Sequence, residues 1–317
     1  MNAWWWPGLQ AMLVLFVILG LVMGLIWFER RLLAALQDRY GPNRVGPFGL
    51  LQPVADAIKL LLKEDWIPPF ADKAVFVLAP MILVATVLLA FAVVPFTARV
   101  RVSDLNVGLL FFLGMTSLGV YSIVLAGWSS NSKYSLIGGL RAAAQMISYE
   151  IPMGLSLVGV VLLSGSFRLG DIVAAQHSLW FAVTQPVGLI VFLIAAVAEA
   201  RRIPFDLPEA DAEIIGGYHT EYSSMKFGMF FLGEYLDVLL ISCLTAVFFL
   251  GGWLGPGLPP ILWFALKTGA VVVFFICIRS VLPRFRFDQL MHFGWKVLLP
   301  VSLLNLLVTG AIALGVR

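Results

Sequence analysis

Apolar stretches of about 20 residues, the length of a membrane-spanning helix, constrain the fold of this chain more than any other feature. Eight of them contain few charges, and they lie at roughly 8–28, 74–96, 105–127, 141–165, 180–200, 228–251, 260–281 and 295–315. Only 12% of the 317 residues are charged, whereas soluble domains carry about 25%. The sequence therefore predicts an all-α polytopic membrane protein, a single domain over 1–317 with about eight transmembrane helices.

The loops on one side of the predicted spans hold most of the basic residues. Those sixteen are Arg30, Arg31, Arg39, Arg44, Lys59, Lys63, Lys73, Lys133, Arg141, Arg201, Arg202, Lys226, Arg279, Arg284, Arg286 and Lys296. The opposite side holds only Arg99, Arg101, Arg168 and Arg317. Since cytoplasmic loops are enriched in Lys and Arg, the sixteen indicate the cytoplasmic side and both termini are predicted outside.

The first cytoplasmic loop contains a segment with helical periodicity that is too short to cross a bilayer. Within 49–64, apolar side chains recur at helical spacing and polar ones, among them Asp56, fall on the other face. This pattern predicts an amphipathic helix that either lies in the membrane interface or packs on the protein's own spans. The preceding RYGPNRVGPFG (39–49) is rich in Gly and Pro, which predicts a fixed, non-helical path.

Four glutamates lie in or at the ends of the predicted spans, although a charge at the bilayer centre costs about 2.5–3.5 kcal/mol. They are Glu29, Glu150, Glu199 and Glu234. A carboxyl group at such a depth titrates nearer to neutral pH than one in water. This placement favours proton or charge handling inside the membrane.

The cytoplasmic loop over 201–227 is acidic, and its apolar residues indicate that part of it is buried. Its carboxylates, with Asp56 and the glutamates of the spans, predict a proton relay in a shared polar cavity: Asp56, Glu150, Glu199, Glu209, Asp211, Glu213, Glu221 and Glu234. A structural ion pair, for example between Glu199 and Arg201 or Arg202, is the alternative for any one of them. A solvated loop is the alternative for the whole segment.

No sequence motif for a metal, nucleotide, haem or iron–sulfur cluster is present. The two cysteines, Cys243 and Cys277, and the three scattered histidines lack the spacing of metal ligands. Any redox role therefore requires partner subunits that carry the electron carriers. Phe227 and Phe231 follow the acidic loop, and we expect them either to line the entrance for an amphiphilic ligand or to face lipid.

Several long segments resemble one family of membrane proteins. RYGPNRVGPFG (39–49), ISYEIP (147–152), ARRIPFDLPEADAEIIGGYHTEY (200–222) and PRFRFDQ (283–289) are similar to the H subunits of bacterial NADH:quinone oxidoreductase, respiratory complex I. The resemblance covers essentially the whole chain. Asp211 stands where many members have Glu, so its carboxylate reaches one methylene less far.

The resemblance implies a membrane subunit that is not catalytic alone. It forms much of the quinone chamber and couples quinone reduction to proton translocation through the relay acids. The chamber residues it implies are Glu29, Arg30, Arg39, Arg202, Phe205, Phe227, Phe231, Arg284 and Arg286. The chain binds no cofactor or nucleic acid. FMN and iron–sulfur clusters are expected on partner subunits of the hydrophilic arm, and small helical and antiporter-like subunits complete the membrane arm. The location implied is the bacterial inner membrane, with lipid and quinone as small-molecule partners.

Two other functions fit part of the pattern. A proton-coupled secondary transporter also carries acids in its spans and Gly/Pro-broken helices, but no internal repeat is visible here. The corresponding subunit of a membrane-bound hydrogenase or a ferredoxin-dependent complex is the second alternative. The sequence segments above match the NADH-linked bacterial type more closely.

Overall fold

The computed structural model describes residues 6–207 and 216–315, and this part of the chain is helical throughout, with no strand. The helices are α1 (Trp6–Leu36), α2 (Gln52–Leu62), α3 (Lys73–Phe91), α4 (Gly108–Ser129), α5 (Lys133–Ser164), α6 (Leu169–Ala175), α7 (Phe181–Thr184), α8 (Pro186–Glu199), α9 (Ser224–Phe249), α10 (Pro260–Val281), α11 (Phe287–Phe293) and α12 (Leu299–Gly315). A π-helical segment, Gly294–Leu298, joins α11 to α12. The predicted all-α class is confirmed.

Seven helices in the described part of the chain are long and apolar enough to cross a membrane. They are α1, α3, α4, α5, α9, α10 and the continuous run from α11 to α12. A polytopic membrane protein is therefore confirmed. Several helices extend beyond the predicted segments, and α5 begins eight residues earlier than position 141.

The segment predicted as one span over 180–200 is instead two helices, α7 and α8, that meet at Gln185. Pro186 lacks a backbone donor and starts α8 as its first residue. The 14 residues of α8 cover only about 21 Å at 1.5 Å per residue. That length is shorter than the roughly 30 Å hydrocarbon core of a bilayer.

Gln185 is held at this break by side chains of the last helix. Its amide nitrogen donates to Thr309 Oγ1 at 2.6 Å, and its amide oxygen accepts from Asn305 Nδ2 at 3.1 Å. Gly159 and Gly188 leave room for it, since a Cβ at either position would lie 3.0 or 2.9 Å from Gln185 Oε1. The buried amide is thus satisfied where the helix is interrupted.

The centre of the molecule is α9. Of its most apolar stretch 83% is buried, against 17% for the run from α11 to α12. It packs against α1, α3 and α10, while α5 packs against α4, α8 and α12. Aromatic rings of Phe192, Phe248 and Phe249 meet in the core, with centroids 5.4 and 6.0 Å from Phe192. The helices around α9 therefore fix the positions of every side chain at its cytoplasmic end.

The short helix α2 turns its apolar side chains away from the rest of the chain. Ile58, Leu61 and Leu62 are exposed, while Asp56 accepts a hydrogen bond from Arg30 on α1. This orientation favours an interfacial helix whose apolar face enters the membrane over a helix packed through that face on the spans.

The segment between α1 and α2 is non-helical except for a 3₁₀ turn at Pro47–Gly49, as its Gly and Pro content predicts. Trp27 Nε1 and Arg31 Nη1, both on α1, donate to the backbone oxygen of Phe48 at 3.1 and 2.9 Å. Gly49 has a φ of 77°, a conformation that glycine adopts without steric cost. The turn is thus fastened to the end of α1.

Candidate functional site

One cluster of buried charges joins α1, α9 and α10 at the start of the acidic loop. Arg202 Nη1 lies 3.1 Å from Glu29 Oε1, and Arg202 Nε lies 2.7 Å from Glu234 Oε1. Arg279 is the second cation and donates to Glu29. The Arg202 Cζ atom lies 4.4 Å from the ring centroid of Tyr235. Two carboxylates and two guanidinium groups therefore balance one another, as buried charges require.

The charge state of Arg202 follows from these neighbours. Its burial disfavours the charged form, but the carboxylates of Glu234 and Glu29 outweigh that effect and raise the pKa of Arg202 above its ordinary value. Arg202 therefore remains a cation at any physiological pH and stabilises the two acids as anions.

A second cluster lies on the other side of the same loop. Arg201, which is 2% exposed, directs its Nη2 to Asp237 Oδ2 at 3.0 Å and its Nη1 to the hydroxyl of Tyr218 at 3.5 Å. Consecutive arginines therefore enter two separate groups of acids. Arg201 has a φ of 55°, an unusual value for a residue with a side chain, and this backbone turn lets the two guanidinium groups diverge.

Glu199 and Asp237 line a narrow cavity between α3, α4, α8 and α9, together with Thr116. Glu199 is 4% exposed, and its Oε2 atom has no hydrogen-bond partner among the described residues. A buried polar oxygen without a partner is costly. It is therefore a point at which a proton or a water molecule is readily taken up.

Glu150 borders the same cavity through hydroxyl groups of α4. Ser117 Oγ donates to Glu150 Oε1, and Thr116 Oγ1 lies 3.5 Å from that oxygen. Glu150 sits near the middle of α5, since the helix begins at Lys133, rather than towards the cytoplasmic end as its predicted span implied. The sequence Glu199, Thr116, Glu150 thus leads sideways from the acidic loop into the helix bundle.

Aromatic side chains form a row along one face of α9 that ends at Arg202. Phe227 and Phe231 are stacked with ring centroids 6.5 Å apart, and Phe231 lies 4.9 Å from Tyr235. Spacings of four residues put all three on one face of the helix. Both phenylalanines are partly exposed, so the row leads from the protein surface to the buried charges.

Beside this row, α2 carries Asp56. Its carboxylate accepts from Arg30 at 2.5 Å and from Gln52 at 3.1 Å. Desolvation opposes ionisation, but the hydrogen bonds from Arg30 and Gln52 outweigh it and lower the pKa of Asp56. The far end of α2 is held by Ser224, whose hydroxyl donates to Leu60 O at 2.9 Å. The helix is therefore tied to both α1 and α9.

The first part of the acidic loop is clamped to the segment before α11. Phe205 is buried, with its ring centroid 5.4 Å from Tyr149 and 5.6 Å from Phe285. Arg284 Nη2 donates to Asp206 Oδ2 at 2.6 Å. These contacts bring Phe205 and Arg284 to the base of the loop, close to Arg202 in sequence.

Three other predicted residues lie apart from these clusters. Arg39 is exposed and donates to Gln37 Oε1 at 2.9 Å, and Arg286 pairs with its neighbour Asp288 at 2.5 Å. Glu221 is partly buried in the turn before α9 and makes no hydrogen bond or ion pair with a residue that the structure describes. The relay residues Glu209, Asp211 and Glu213 lie outside the described residues, which resume at position 216.

The sequence pattern did not select four residues that the structure places in the clusters: Arg201, Asp237, Arg279 and Tyr235. Each is a polar residue in or beside a predicted span, and Asp237 lies three residues after Glu234 on the same helix. That spacing was a usable signal for Asp237. Nothing local in the sequence shows that Arg279 meets Glu29, because 250 positions separate them. Among the described residues, no group of three or more His, Cys, Asp or Glu side chains is placed to hold a metal ion.

Comparison with known proteins identifies the family. The sequence pattern of the family described as NADH dehydrogenase matches residues 9–310. The H subunit of the NADH-quinone oxidoreductase of Methylococcus capsulatus is 61% identical over 293 residues, which cover 92% of this chain and 93% of the relative. The second of the numbered H subunits of Geobacter sulfurreducens NADH-quinone oxidoreductase is 57% identical over 312 residues, or 96% of this chain and 95% of the relative. The chain therefore belongs to the NADH dehydrogenase family of membrane subunits.

Proposed function

We propose that this chain is the membrane subunit of a proton-translocating NADH:quinone oxidoreductase that forms much of the quinone chamber and couples quinone reduction to proton movement. One observation carries the proposal. Consecutive arginines at the start of the acidic loop, Arg201 and Arg202, hold two separate groups of buried acids. Any movement of this part of the loop alters both groups at once.

The proposed entry for quinone lies between α1, α2 and α9. The row of Phe227, Phe231 and Tyr235 offers aromatic surface to an isoprenoid tail and leads to the cationic Arg202. The apolar face of α2 places the mouth of the row at the membrane interface. An amphiphilic ligand enters such a site from the bilayer with its polar head directed inward.

Coupling follows from the charge that quinone acquires. Two electrons from a partner's carrier leave the reduced ring in need of two protons, and the acids of the loop are the nearest donors. Loss of a proton from these acids alters the field at Arg201 and Arg202. That change reaches Glu199 through Arg201 and Asp237, and then Glu150 through Thr116. The relay therefore runs sideways into the membrane arm.

This role requires partners and fixes the orientation. The hydrophilic-arm subunits hold FMN and the iron–sulfur clusters and dock on the basic side of the chain, which is the cytoplasmic side. Small helical and antiporter-like subunits receive the charge signal within the membrane. The protein is placed in the bacterial inner membrane with both termini on the periplasmic side.

Affinity purification from native membranes tests the assignment. We expect flavin and iron–sulfur subunits to co-elute, together with NADH:quinone reductase activity that a quinone-site inhibitor abolishes. A chain that elutes alone and binds a polar solute instead would indicate a secondary transporter. Co-elution with hydrogenase or ferredoxin-oxidising activity would indicate one of the related complexes.

The relay itself is tested with Glu199→Gln, which keeps the shape of the side chain but removes its titration. We expect proton translocation per NADH to fall by about tenfold, the scale of a lost proton-transfer group at its lower end. Glu64→Gln, the same change on an exposed side chain, is the matched control and should pump normally. Unaltered pumping by Glu199→Gln excludes this residue from the relay.

A further inference from the structure

The face of the molecule opposite the acidic loop carries its own polar pocket. Gln10, near the start of α1, donates from Nε2 to the backbone oxygen of Arg101 at 2.8 Å. Glu29 and Arg30 lie about 20 residues further along the same helix, which corresponds to roughly 30 Å at 1.5 Å per residue. The pocket that Arg101 lines is therefore at the other membrane surface, far from the proposed chamber.

Two arginines from distant parts of the chain form one wall of this pocket. Arg168 Nε donates to Asp104 Oδ1 at 2.8 Å, and Arg101 and Arg168 both pair with Asp104 Oδ2. The hydrogen bond from Arg168 holds the pKa of Asp104 below its ordinary value, so that Asp104 stays ionised. One carboxylate thus orients two guanidinium groups and leaves one positive charge in excess. Paired guanidinium groups of this kind suit a phosphate oxygen.

The opposite wall combines an acid with an aromatic ring. Asp171 and Trp253 line it. Ser166 Oγ donates to Asp171 Oδ2 at 2.9 Å, while the exposed Oδ1 accepts no hydrogen bond from the described residues. A carboxylate oxygen of this kind beside an indole ring suits an organic ammonium group. The pocket is therefore charged in two senses, with cations on one wall and an anion on the other.

Glycine at position 170 keeps the space between these walls open. A Cβ there would have Arg101 Nη1, 3.9 Å away, as its nearest neighbour. Exposed apolar side chains surround the pocket: Val100 (41%), Leu105 (37%), Val107 (52%) and Phe167 (39%). A polar pocket with an apolar border is typical of the level at which phospholipid headgroups meet acyl chains.

We propose that this pocket binds the headgroup of a zwitterionic phospholipid, with its phosphate on Arg101 and Arg168 and its ammonium on Asp171 and Trp253. A phosphoethanolamine headgroup has both charges at the required separation of a few atoms. The acyl chains then lie on Val107 and Phe167. The bound lipid joins the loop after α3 to the start of α6 at this surface.

Photo-crosslinking of the intact complex tests this site. The probe is phosphatidylethanolamine with a diazirine on an acyl chain, and the readout is labelling of peptides that contain Val107 or Phe167. Two variants remove the site in different ways: Arg101→Gln removes a charge, and Gly170→Leu fills the space. Arg99→Gln is the matched control, since Arg99 is exposed on the same loop but does not line the pocket.

We expect labelling of these peptides to fall about tenfold in both variants, equivalent to a tenfold weaker affinity, and to stay unchanged in Arg99→Gln. Equal labelling in wild type and both variants would overturn the site. A phosphatidylglycerol probe that labels as strongly would overturn the role of Asp171 and Trp253. Competition by soluble glycerophosphoethanolamine at the concentration of the lipid would overturn a lipid as the source of the headgroup.

Discussion

Arg202 is the residue on which the buried charges of the site depend most directly. It contacts both Glu29 and Glu234, and Arg279 reaches only the first of these acids in the described contacts. A buried ion pair contributes little net stability, but removal of one member leaves an uncompensated charge. The neutralisation of Arg202 is therefore a sharper test of the cluster than the neutralisation of either acid.

Arg202→Met leaves Glu234 buried beside an apolar side chain, and we expect a loss of about 3–5 kcal/mol in stability. The measurement is thermal denaturation of the solubilised complex, followed by dissociation of this subunit. Arg39→Met, which removes an exposed arginine, should denature as wild type does. An unchanged midpoint for Arg202→Met would contradict the cluster as the structure has it.

At the scale of single elements, α5 and the end of the acidic loop touch backbone to backbone. A Cβ at Gly138 would lie 2.7 Å from Gly217 C and from Tyr218 N, closer than side-chain carbons approach backbone atoms. Tyr218 in turn contacts Arg201. Close packing at this one glycine thus supports the second cluster of acids.

Gly138→Ala is expected to displace the loop and to destabilise the subunit by about 1–3 kcal/mol through overpacking. Gly154→Ala is the matched control, because no atom lies within 4 Å of a Cβ at that position of the same helix. Quinone reductase activity and thermal stability should both fall for the first variant only. Equal values for the two variants would show that the loop accommodates the methyl group.

The attachment of α2 to α1 depends on pH through Asp56. The folded-state pKa is lowered, so attachment is complete above the ordinary value of 3.8 and is lost as pH falls through the lower, folded value. Hydrogen exchange of the amides of 52–62, corrected for intrinsic rates, should therefore accelerate below about pH 4. Asp56→Asn should exchange at pH 7 as the acidified wild type does. Slow exchange by this variant at pH 7 would contradict the attachment.

Sequence periodicity predicted the elements better than it predicted their ends and contacts. Apolar length identifies a span because only a helix satisfies its backbone in lipid, and the acids in the spans are visible for the same reason. The interruption at Gln185 was missed, since its amide is satisfied by residues 120 and 124 positions away. The pairing of Arg202 with Glu29, and not with Glu199, likewise depends on tertiary packing that no local pattern encodes.

At the scale of the whole molecule, charge divides the two surfaces. The acidic loop, its arginines and α2 occupy one end of α1, and the pocket of Arg101 and Arg168 occupies the other. The excess of basic residues at the first end sets it in the cytoplasm by the positive-inside rule. The orientation of the molecule and the docking of a hydrophilic arm therefore depend on the same surface.

Cysteine labelling in right-side-out vesicles measures this orientation. A membrane-impermeant maleimide should label Arg99→Cys, and Arg44→Cys should react only after permeabilisation. The native Cys243 is buried and Cys277 is partly buried, so the unmodified chain supplies the background. Labelling of Arg44→Cys in sealed vesicles would reverse the proposed orientation.

The interruption at Gln185 has a consequence for biosynthesis. A 14-residue helix with a polar residue at its entry is a poor substrate for independent insertion into a bilayer. The side chains that satisfy Gln185 belong to Thr309 and Asn305, which leave the ribosome on the order of ten seconds later at about 5–20 residues per second. During that interval α8 has no permanent neighbours for its polar end. The nascent chain therefore needs an insertase or chaperone to hold this segment until its final helix arrives.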